Sequence, residues 1–206
     1  MTEVNKISST TEIPAFRLFF PAGWEQLGVT EESEREMLGR LRAKAKQVGR
    51  PDLDFTLTAS LKSAFRQLRS IDSIAIYLPL DVAPDALIPM SITASQLVDP
   101  AGKTLDDRVA EVFRDFGGGF LGEDRKIVRW RRTQRTIEGF PGAINQQINY
   151  VIPVPGSGRR RALLLSTSIL QDAESAVDED RFELMVTLSD SIVSSFTWSP
   201  VDRSRS

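Results

Sequence analysis

The stretch that decides the fold is residues 126–170, KIVRWRRTQRTIEGFPGAINQQINYVIPVPGSGRRRALLLSTSIL. Strand-type runs cover 126–137, 143–150 and 161–170, and the segments EGFPG (138–142) and VPGSG (154–158) separate them. Proline and glycine at these places favour reverse turns, because proline presets φ and glycine tolerates positive φ. Three strands joined by short turns predict an antiparallel meander.

Strands and helices predicted on either side of the meander make the fold class α+β. Strand-like runs are SIAIYLPL from Ser73 and LIPMSITAS from Leu87, and FRLFFPAGWEQL (16–27) reads as a hairpin-like opening. Helical spacing of apolar residues predicts helices over about 30–48, 53–69, 104–116 and 178–196, the first two forming a helical hairpin. We therefore predict a single domain over 14–199, with a flexible N-terminus (1–13) and a flexible tail (200–206).

Two helix starts carry capping signals. Thr30 is a preferred N-cap residue, and Thr104 with Asp107 resembles a capping box. The apolar face predicted for the helix after Thr104 consists of Leu105, Val109, Val112, Phe113 and Phe116.

GGGFLG (117–122) formally matches a dinucleotide fingerprint, but it follows a helix rather than a strand, so we interpret it as a helix stop and a mobile loop.

Composition removes whole classes of chemistry. The 206 residues include no cysteine and no histidine, which excludes disulfides, thiolate nucleophiles and Ser-His-Asp triads. We predict no catalytic residue and no cofactor. We also predict no metal site, since the acidic segment with Asp172, Glu174 and Asp180 lacks the ligand spacing of an EF-hand. A net charge of −2 gives no broad positive field for nucleic acid. Without an apolar run of about 18 residues or a signal-like N-terminus, we expect a cytoplasmic location and no membrane insertion.

Short motifs resemble one known family. They are the opening FRLFFPAGW, the meander, the strand RALLLSTSIL, the acidic loop after it and the closing helix ending FTW. This pattern is similar to the PsbP-like superfamily, whose relatives include a photosystem II extrinsic subunit, a Ran-binding import factor, and DcrB-like, LpqN-like and EagR-type proteins. The resemblance implies an α/β/α sandwich with a central antiparallel sheet flanked by helices, with the hairpin at about 30–70 as an insertion. It also implies a binding module, since the family shares no catalytic residues.

An arginine-rich run, RKIVRWRRTQR (125–135), supplies most of the candidate partner-binding residues. The candidates are Arg129, Trp130, Arg131, Arg132, Arg135 and Arg160. Arginine binds carboxylate or phosphate in a bidentate way and stacks on aromatic rings. We expect residues 159–161 on a neighbouring strand of the meander, which would extend the basic patch.

Strand alternation splits this patch, because successive side chains point to opposite faces of a sheet. It places Arg129, Arg131 and Arg135 on one face, and Trp130 with Arg132 on the other. The alternative interpretation is an edge strand whose arginines prevent aggregation or pair with acidic helix starts elsewhere in the chain.

These observations favour a non-catalytic cytoplasmic protein-binding module, a chaperone or adaptor, with a protein as its partner and homo-oligomerisation left open. A role in secretion is implied by the resemblance only. One alternative is a small-ligand-binding protein or a carboxylate-based enzyme, since glycosidase-like chemistry needs only two suitably spaced carboxyl groups. A less favoured alternative is single-stranded nucleic-acid binding through Trp130 and its neighbouring arginines.

Overall fold

A computed structural model describes residues 13–47, 49, 54–82, 88–98, 104–135, 142–172 and 179–199. The elements in chain order are β1 Phe16–Arg17, β2 Trp24–Gly28, α1 Glu31–Gln47, α2 Asp54–Ser70, β3 Ser73–Pro79, β4 Met90–Val98, α3 Leu105–Asp115, β5 Gly119–Leu121, β6 Ile127–Gln134, β7 Ala143–Pro153, β8 Arg161–Asp172, α4 Glu179–Ser194 and β9 Thr197–Trp198. The predictions for residues 1–12, for most of the acidic loop (173–178) and for the tail (200–206) lie outside the described residues. Among the described helices, none is long and apolar enough to cross a membrane.

Seven strands form one antiparallel sheet in the order β2-β3-β4-β8-β7-β6-β5. The predicted meander is confirmed as its β6-β7-β8 part, in which β7 pairs with β8 along its whole length. β4 pairs with the other side of β8, so the apolar strand RALLLSTSIL lies in the middle of the sheet. Within the described residues, a second sheet consists of β1 and β9.

One face of the large sheet packs against α4 and holds the main core; we call it the α4 face. Alternate residues of β3, β4, β7 and β8 point to this side, as the two-residue period of a strand requires. Its hydrophobic strand residues that are 0% exposed are Ile92, Ala94, Ile148, Tyr150, Leu163, Leu165 and Ile169. The buried side chains of α4 that cover them are Phe182, Met185, Val186, Ile192 and Val193. The apolar stripe of α4 therefore closes this side of the domain.

The opposite face, which we call the α3 face, is covered in two separate parts. Over β2 and β3, Met37 of α1 and Phe65 of α2 pack against Leu27 of β2. Over β6, β7 and β8, α3 forms a cluster of Leu105, Val112, Val128, Val151 and Ala162. Helices on both sides of the sheet give the predicted α/β/α sandwich, and the helical hairpin is part of one of its outer layers.

The two predicted helix caps have different outcomes. Thr30 caps α1, because its side-chain oxygen accepts a hydrogen bond from the Ser33 N–H at 3.1 Å. Thr104 makes no side-chain cap, so the predicted capping box is wrong. The first N–H of α3, from Leu105, instead donates to the carbonyl of Arg159 at 2.7 Å. A residue distant in sequence thus satisfies this helix start.

The predicted hairpin-like opening is also wrong. β1 pairs with β9 at the far end of the chain, whereas β2 pairs with β3. Phe16 stacks on Phe196 with ring centroids 5.6 Å apart and meets Trp198 edge-on at 6.3 Å. Aromatic packing with the C-terminal segment therefore sets the position of β1, and a local turn does not.

Candidate partner-binding site

β6 is the second strand from one edge of the sheet, and its outer side is only partly paired. Its inner side pairs with β7 from Val128 to Gln134. On the outer side, β5 reaches only from Ile127 to Arg129. Among the described residues, no strand pairs with the outer side of residues 130–134. The strand that carries most of the predicted site residues therefore has an unpaired edge.

On the α4 face, two predicted site residues hold α4 against the sheet. Arg129 Nε donates to a carboxylate oxygen of Asp190 at 2.7 Å. Arg131 donates to both carboxylate oxygens of Glu183, at 2.8 and 3.1 Å, and these hydrogen bonds lower the pKa of Glu183. The alternative interpretation expected pairs with acidic helix starts; the arginines do pair with a helix, but Glu183 and Asp190 lie within α4 and not at its start. A partner that binds Arg131 must compete with Glu183, and one that binds Nε of Arg129 must compete with Asp190.

A buried chain of hydroxyl groups continues inward from Asp190. Tyr150 donates to Asp190 at 2.7 Å, its oxygen lies 2.7 Å from the Ser189 hydroxyl, and Ser189 lies 2.7 Å from the Thr167 hydroxyl. Because the Tyr150 proton goes to Asp190, Ser189 must donate to Tyr150 and Thr167 to Ser189. Burial raises the pKa of Tyr150, so it remains a donor at ordinary pH. This chain joins α4 to β7 and β8, and sequence reasoning did not anticipate it.

On the α3 face, exposed aromatic side chains gather beside Trp130. Phe113 of α3, Phe116 just after it and Phe120 of β5 are 38%, 43% and 43% exposed. The ring centroids of Phe113 and Phe120 lie 5.2 Å apart. Phe116, Phe120 and Trp130 line a surface hollow of about 380 Å³ at the rim of the sheet, together with Gly117, Gly119, Arg129 and Arg131. We call Phe113, Phe116, Phe120 and Trp130 the aromatic edge.

The predicted apolar face of α3 is therefore correct only in part. Leu105 and Val112 are buried, whereas Phe113 and Phe116 are exposed. Phe113 lies on the flank of the helical stripe, and Phe116 lies beyond the last helical residue. Since β5 is only three residues long, the sheet ends before it can cover these two rings.

Arg132 lies beside the aromatic edge, whereas Arg135 lies beyond the end of β6 and Arg160 lies in a distant turn. Arg132 shares the α3 face with Trp130, Arg135 follows the end of β6, and both are exposed. Within the described part of the chain neither has an ion pair. Arg160 lies in the turn between β7 and β8, where its Nε donates to the Ser157 carbonyl at 3.5 Å. The expectation that residues 159–161 lie on a strand next to β6 is wrong, because β7 separates β8 from β6.

Three consecutive glycines shape the aromatic edge. Gly117 follows the end of α3 with φ of 60°, a conformation that favours glycine. Gly118 passes so close to α3 that a Cβ there would lie 2.5 Å from Val112 Cγ1. A Cβ on Gly119 would meet nothing within 4 Å, and Gly119 lines the hollow. The predicted helix stop is confirmed, but the predicted mobile loop is wrong, since Gly119 begins β5.

A larger groove of about 840 Å³ lies at the other end of the β5–β6 hairpin. Phe196 and Trp198 contribute apolar surface to it, and Glu123 and Asp124 contribute carboxylates. Asp124 pairs with Lys126 at 3.0 Å, which lowers the pKa of Asp124. A carboxyl group that acts as a general acid needs a raised pKa, so Asp124 does not support the enzyme alternative. Among the described residues no group of three His, Cys, Asp or Glu side chains could hold a metal ion.

Comparisons with known proteins identify no family for this chain. No protein-family model matches the chain, and no curated protein matches it. A solved structure of the Saccharomyces cerevisiae Ran-binding protein Mog1p is similar with a TM-score of 0.39 and 10% identity, covering 60% of this chain and 78% of Mog1p. A mutant of Mog1 gives a TM-score of 0.36 and 12% identity, with the same coverage. At these scores the likenesses carry no argument, and the PsbP-like resemblance stays a prediction.

Proposed function

We propose that this chain is a non-catalytic protein-binding module whose partner docks on the aromatic edge. The observation that carries the proposal is the cluster of three exposed phenylalanines beside Trp130, two of which, Phe116 and Phe120, line one hollow with it. Single exposed apolar residues are ordinary, but a contiguous exposed cluster is typical of an interaction surface, because its contact with water is unfavourable. Buried aromatic side chains also supply much of the binding energy in protein interfaces.

The charges around the aromatic edge favour an acidic partner. Arg132 lies beside Trp130 on the α3 face, and Arg135 lies beyond it. The Arg125 guanidinium carbon lies 5.9 Å from the centroid of the Phe120 ring. Arginine binds carboxylates with a rigid fork of donors, and rim charges of this kind speed association and select partners. The partner we propose therefore presents apolar side chains together with carboxylates.

Single-stranded nucleic acid is a second candidate partner, because Trp130 and Arg132 share one face and could stack a base and bind a phosphate. Two facts weigh against it. Arg129 and Arg131 are paired with carboxylates of α4, and the chain as a whole carries a net charge of −2. Binding of a fluorescent oligonucleotide that weakens steeply with salt and disappears in Arg132→Glu would favour this candidate instead.

The finer parts of the proposal concern location and assembly. We expect a chaperone or adaptor in the cytoplasm of its host. Fluorescence of a tagged chain in host cells checks the location. Light scattering after size exclusion checks whether the chain is a monomer or a homo-oligomer.

Site-specific photo-crosslinking in host cells tests the docking surface. The crosslinking amino acid p-benzoyl-phenylalanine replaces Phe120 in one variant and Phe19 in the control, since Phe19 is 74% exposed at a different place. We expect a defined crosslinked protein from position 120 that is absent from position 19. Excess wild-type chain should compete it away, whereas a Phe116→Ser variant should compete poorly. Equal crosslinking from both positions, or from neither, would contradict the proposal.

A further inference from the structure

Residues 130–134 of β6 place an unpaired strand edge directly beside the aromatic edge. β5 stops pairing at Arg129, whereas β6 continues to Gln134 and pairs with β7 on its inner side. In an antiparallel sheet every second residue of such a strand points its N–H and C=O outward. Five residues at about 3.3 Å each span about 17 Å, which is the length of one short strand.

We propose that the partner binds by adding an extended segment to this edge of β6, in line with β5. The inference rests on the proposed function and names its binding mode. Main-chain hydrogen bonds to β6 supply affinity, and alternate side chains of the added strand supply specificity. The hollow lies where the added strand meets the end of β5. Its lining of aromatic rings together with Arg129 and Arg131 leaves room for one side chain of that strand.

The two faces of β6 specify the sequence pattern of the added segment. Its side chains on the α3 face meet Trp130 and Arg132, so an apolar residue and a carboxylate lie two positions apart, with the carboxylate first if the added strand runs antiparallel to β6. Its side chains on the α4 face meet Arg131, which is already paired with Glu183, so small polar residues fit there. Arg135 beyond the strand end attracts a further carboxylate. The occupant is therefore an extended acidic segment with one apolar anchor.

A second copy of this chain is a poor occupant of the same edge. When two copies of β6 pair antiparallel with Arg132 at the centre, this arginine lies opposite its own copy. A shift of the pairing by one residue toward the start of the strand places it opposite Arg131 of the other copy. Like charges directly opposite each other destabilise a strand pair, and charged edges are a common device against self-association. The charges that oppose self-pairing are the same charges that favour an acidic strand.

A synthetic probe tests the binding mode. The peptide Thr-Glu-Thr-Phe-Thr-Glu-Thr, with blocked ends, carries the proposed pattern in both chain directions. Titrated into isotope-labelled full chain to about 1 mM, it should shift and protect from hydrogen exchange the amides of alternate residues in 130–134. Arg132→Glu/Arg135→Glu should weaken binding about tenfold or more, whereas Arg35→Glu/Arg66→Glu, the same charge change on exposed positions of α1 and α2, should not.

Two N-methylated forms of the peptide separate strand addition from other contacts. One form carries methyl groups on the first, third, fifth and seventh residues, and the other on the second, fourth and sixth. Strand addition requires that one form loses binding while the other retains it, because only alternate N–H groups face β6. Similar binding by both forms, with shifts confined to the aromatic edge, would overturn strand addition and leave the proposed function standing. Failure of the unmethylated peptide to shift any amide would overturn the inferred acidic segment, while crosslinking from Phe120 would still decide the proposed function.

Discussion

Replacing Ser189 by alanine removes the middle hydroxyl of the buried chain that joins α4 to the sheet. In the wild type Thr167 donates to Ser189, Ser189 donates to Tyr150, and Tyr150 donates to Asp190. Ser189→Ala leaves the Thr167 hydroxyl without its acceptor and the Tyr150 oxygen without its donor. Thr167, Ser189 and Tyr150 are all 0% exposed, so water does not replace the lost partners without rearrangement.

The size of the effect follows from which groups are left unpaired. A buried polar group that loses its partner costs about 1–3 kcal/mol, so Ser189→Ala should lower the free energy of unfolding by about that amount. Tyr150→Phe removes the hydroxyl itself, and its neighbours keep other partners, since Asp190 keeps Arg129 and Ser189 keeps Thr167. We expect Tyr150→Phe to cost only about 0.5–1.5 kcal/mol. Adding Thr167→Val to Ser189→Ala removes the unpaired hydroxyl and should recover part of the loss.

Urea unfolding followed by tryptophan fluorescence measures these differences, provided that the denaturant slope stays constant. The double variant closes a mutant cycle in which Thr167 and Ser189 should couple by more than about 0.5 kcal/mol. If Ser189→Ala costs no more than Tyr150→Phe, or if the effects of Ser189→Ala and Thr167→Val simply add, the inferred direction of the hydrogen bonds is wrong.

Two further predictions concern the elements that support the candidate site. Gly118→Ala should destabilise the domain by about 1–3 kcal/mol, because its Cβ would lie 2.5 Å from Val112 Cγ1, whereas Gly119→Ala, with nothing within 4 Å, is the matched control; thermal unfolding compares the two, and equal melting temperatures would refute the close approach. Arg131→Gln should cost about 0.2–1 kcal/mol at pH 7, because the pair with Glu183 is largely exposed. Since Arg131 lowers the pKa of Glu183 in the folded state, its contribution is present above the unfolded pKa of that carboxyl and is lost as the pH falls through the folded one. Urea unfolding at pH 7 and at about pH 3 should therefore show the difference between wild type and variant shrinking in acid, and a constant difference would count against the ion pair.

Local signals in the sequence were sufficient for most of the fold. The turn at 154–158 and the apolar run after it predicted the β7–β8 hairpin, and Thr30 predicted the start of α1. The predictions failed for elements whose partners are remote in sequence and for a strand that begins with glycines, which have no side chain. β1 pairs with β9 at the opposite end of the chain, and a period of two cannot show which strand lies alongside. β5 begins in a glycine run, where no side-chain alternation exists to reveal a strand.

For the candidate site, the sequence predicted which side chains of β6 share a face, but not what those side chains contact. The register with β7 confirms the split of Arg129 and Arg131 from Trp130 and Arg132. Which carboxylates pair with Arg129 and Arg131 depends on how α4 docks on the sheet. The sequence pattern cannot show this, because Glu183 lies 52 residues from Arg131 along the chain. The aromatic edge was equally hidden, because whether a helix flank is covered depends on the length of β5.

The division of β6 into two faces also determines which experiments can be interpreted. Reversing the charge of Arg131 would place it against Glu183 and loosen α4, so a loss of binding in that variant would not distinguish a damaged fold from a damaged interface. Arg132 and Arg135 are exposed near the unpaired strand edge and have no ion pair within the described residues, so reversing them changes the surface and spares the core. A variant of these two that unfolds at the wild-type urea concentration but loses the partner therefore assigns binding to this edge. A variant that loses stability and the partner together assigns these arginines to the fold.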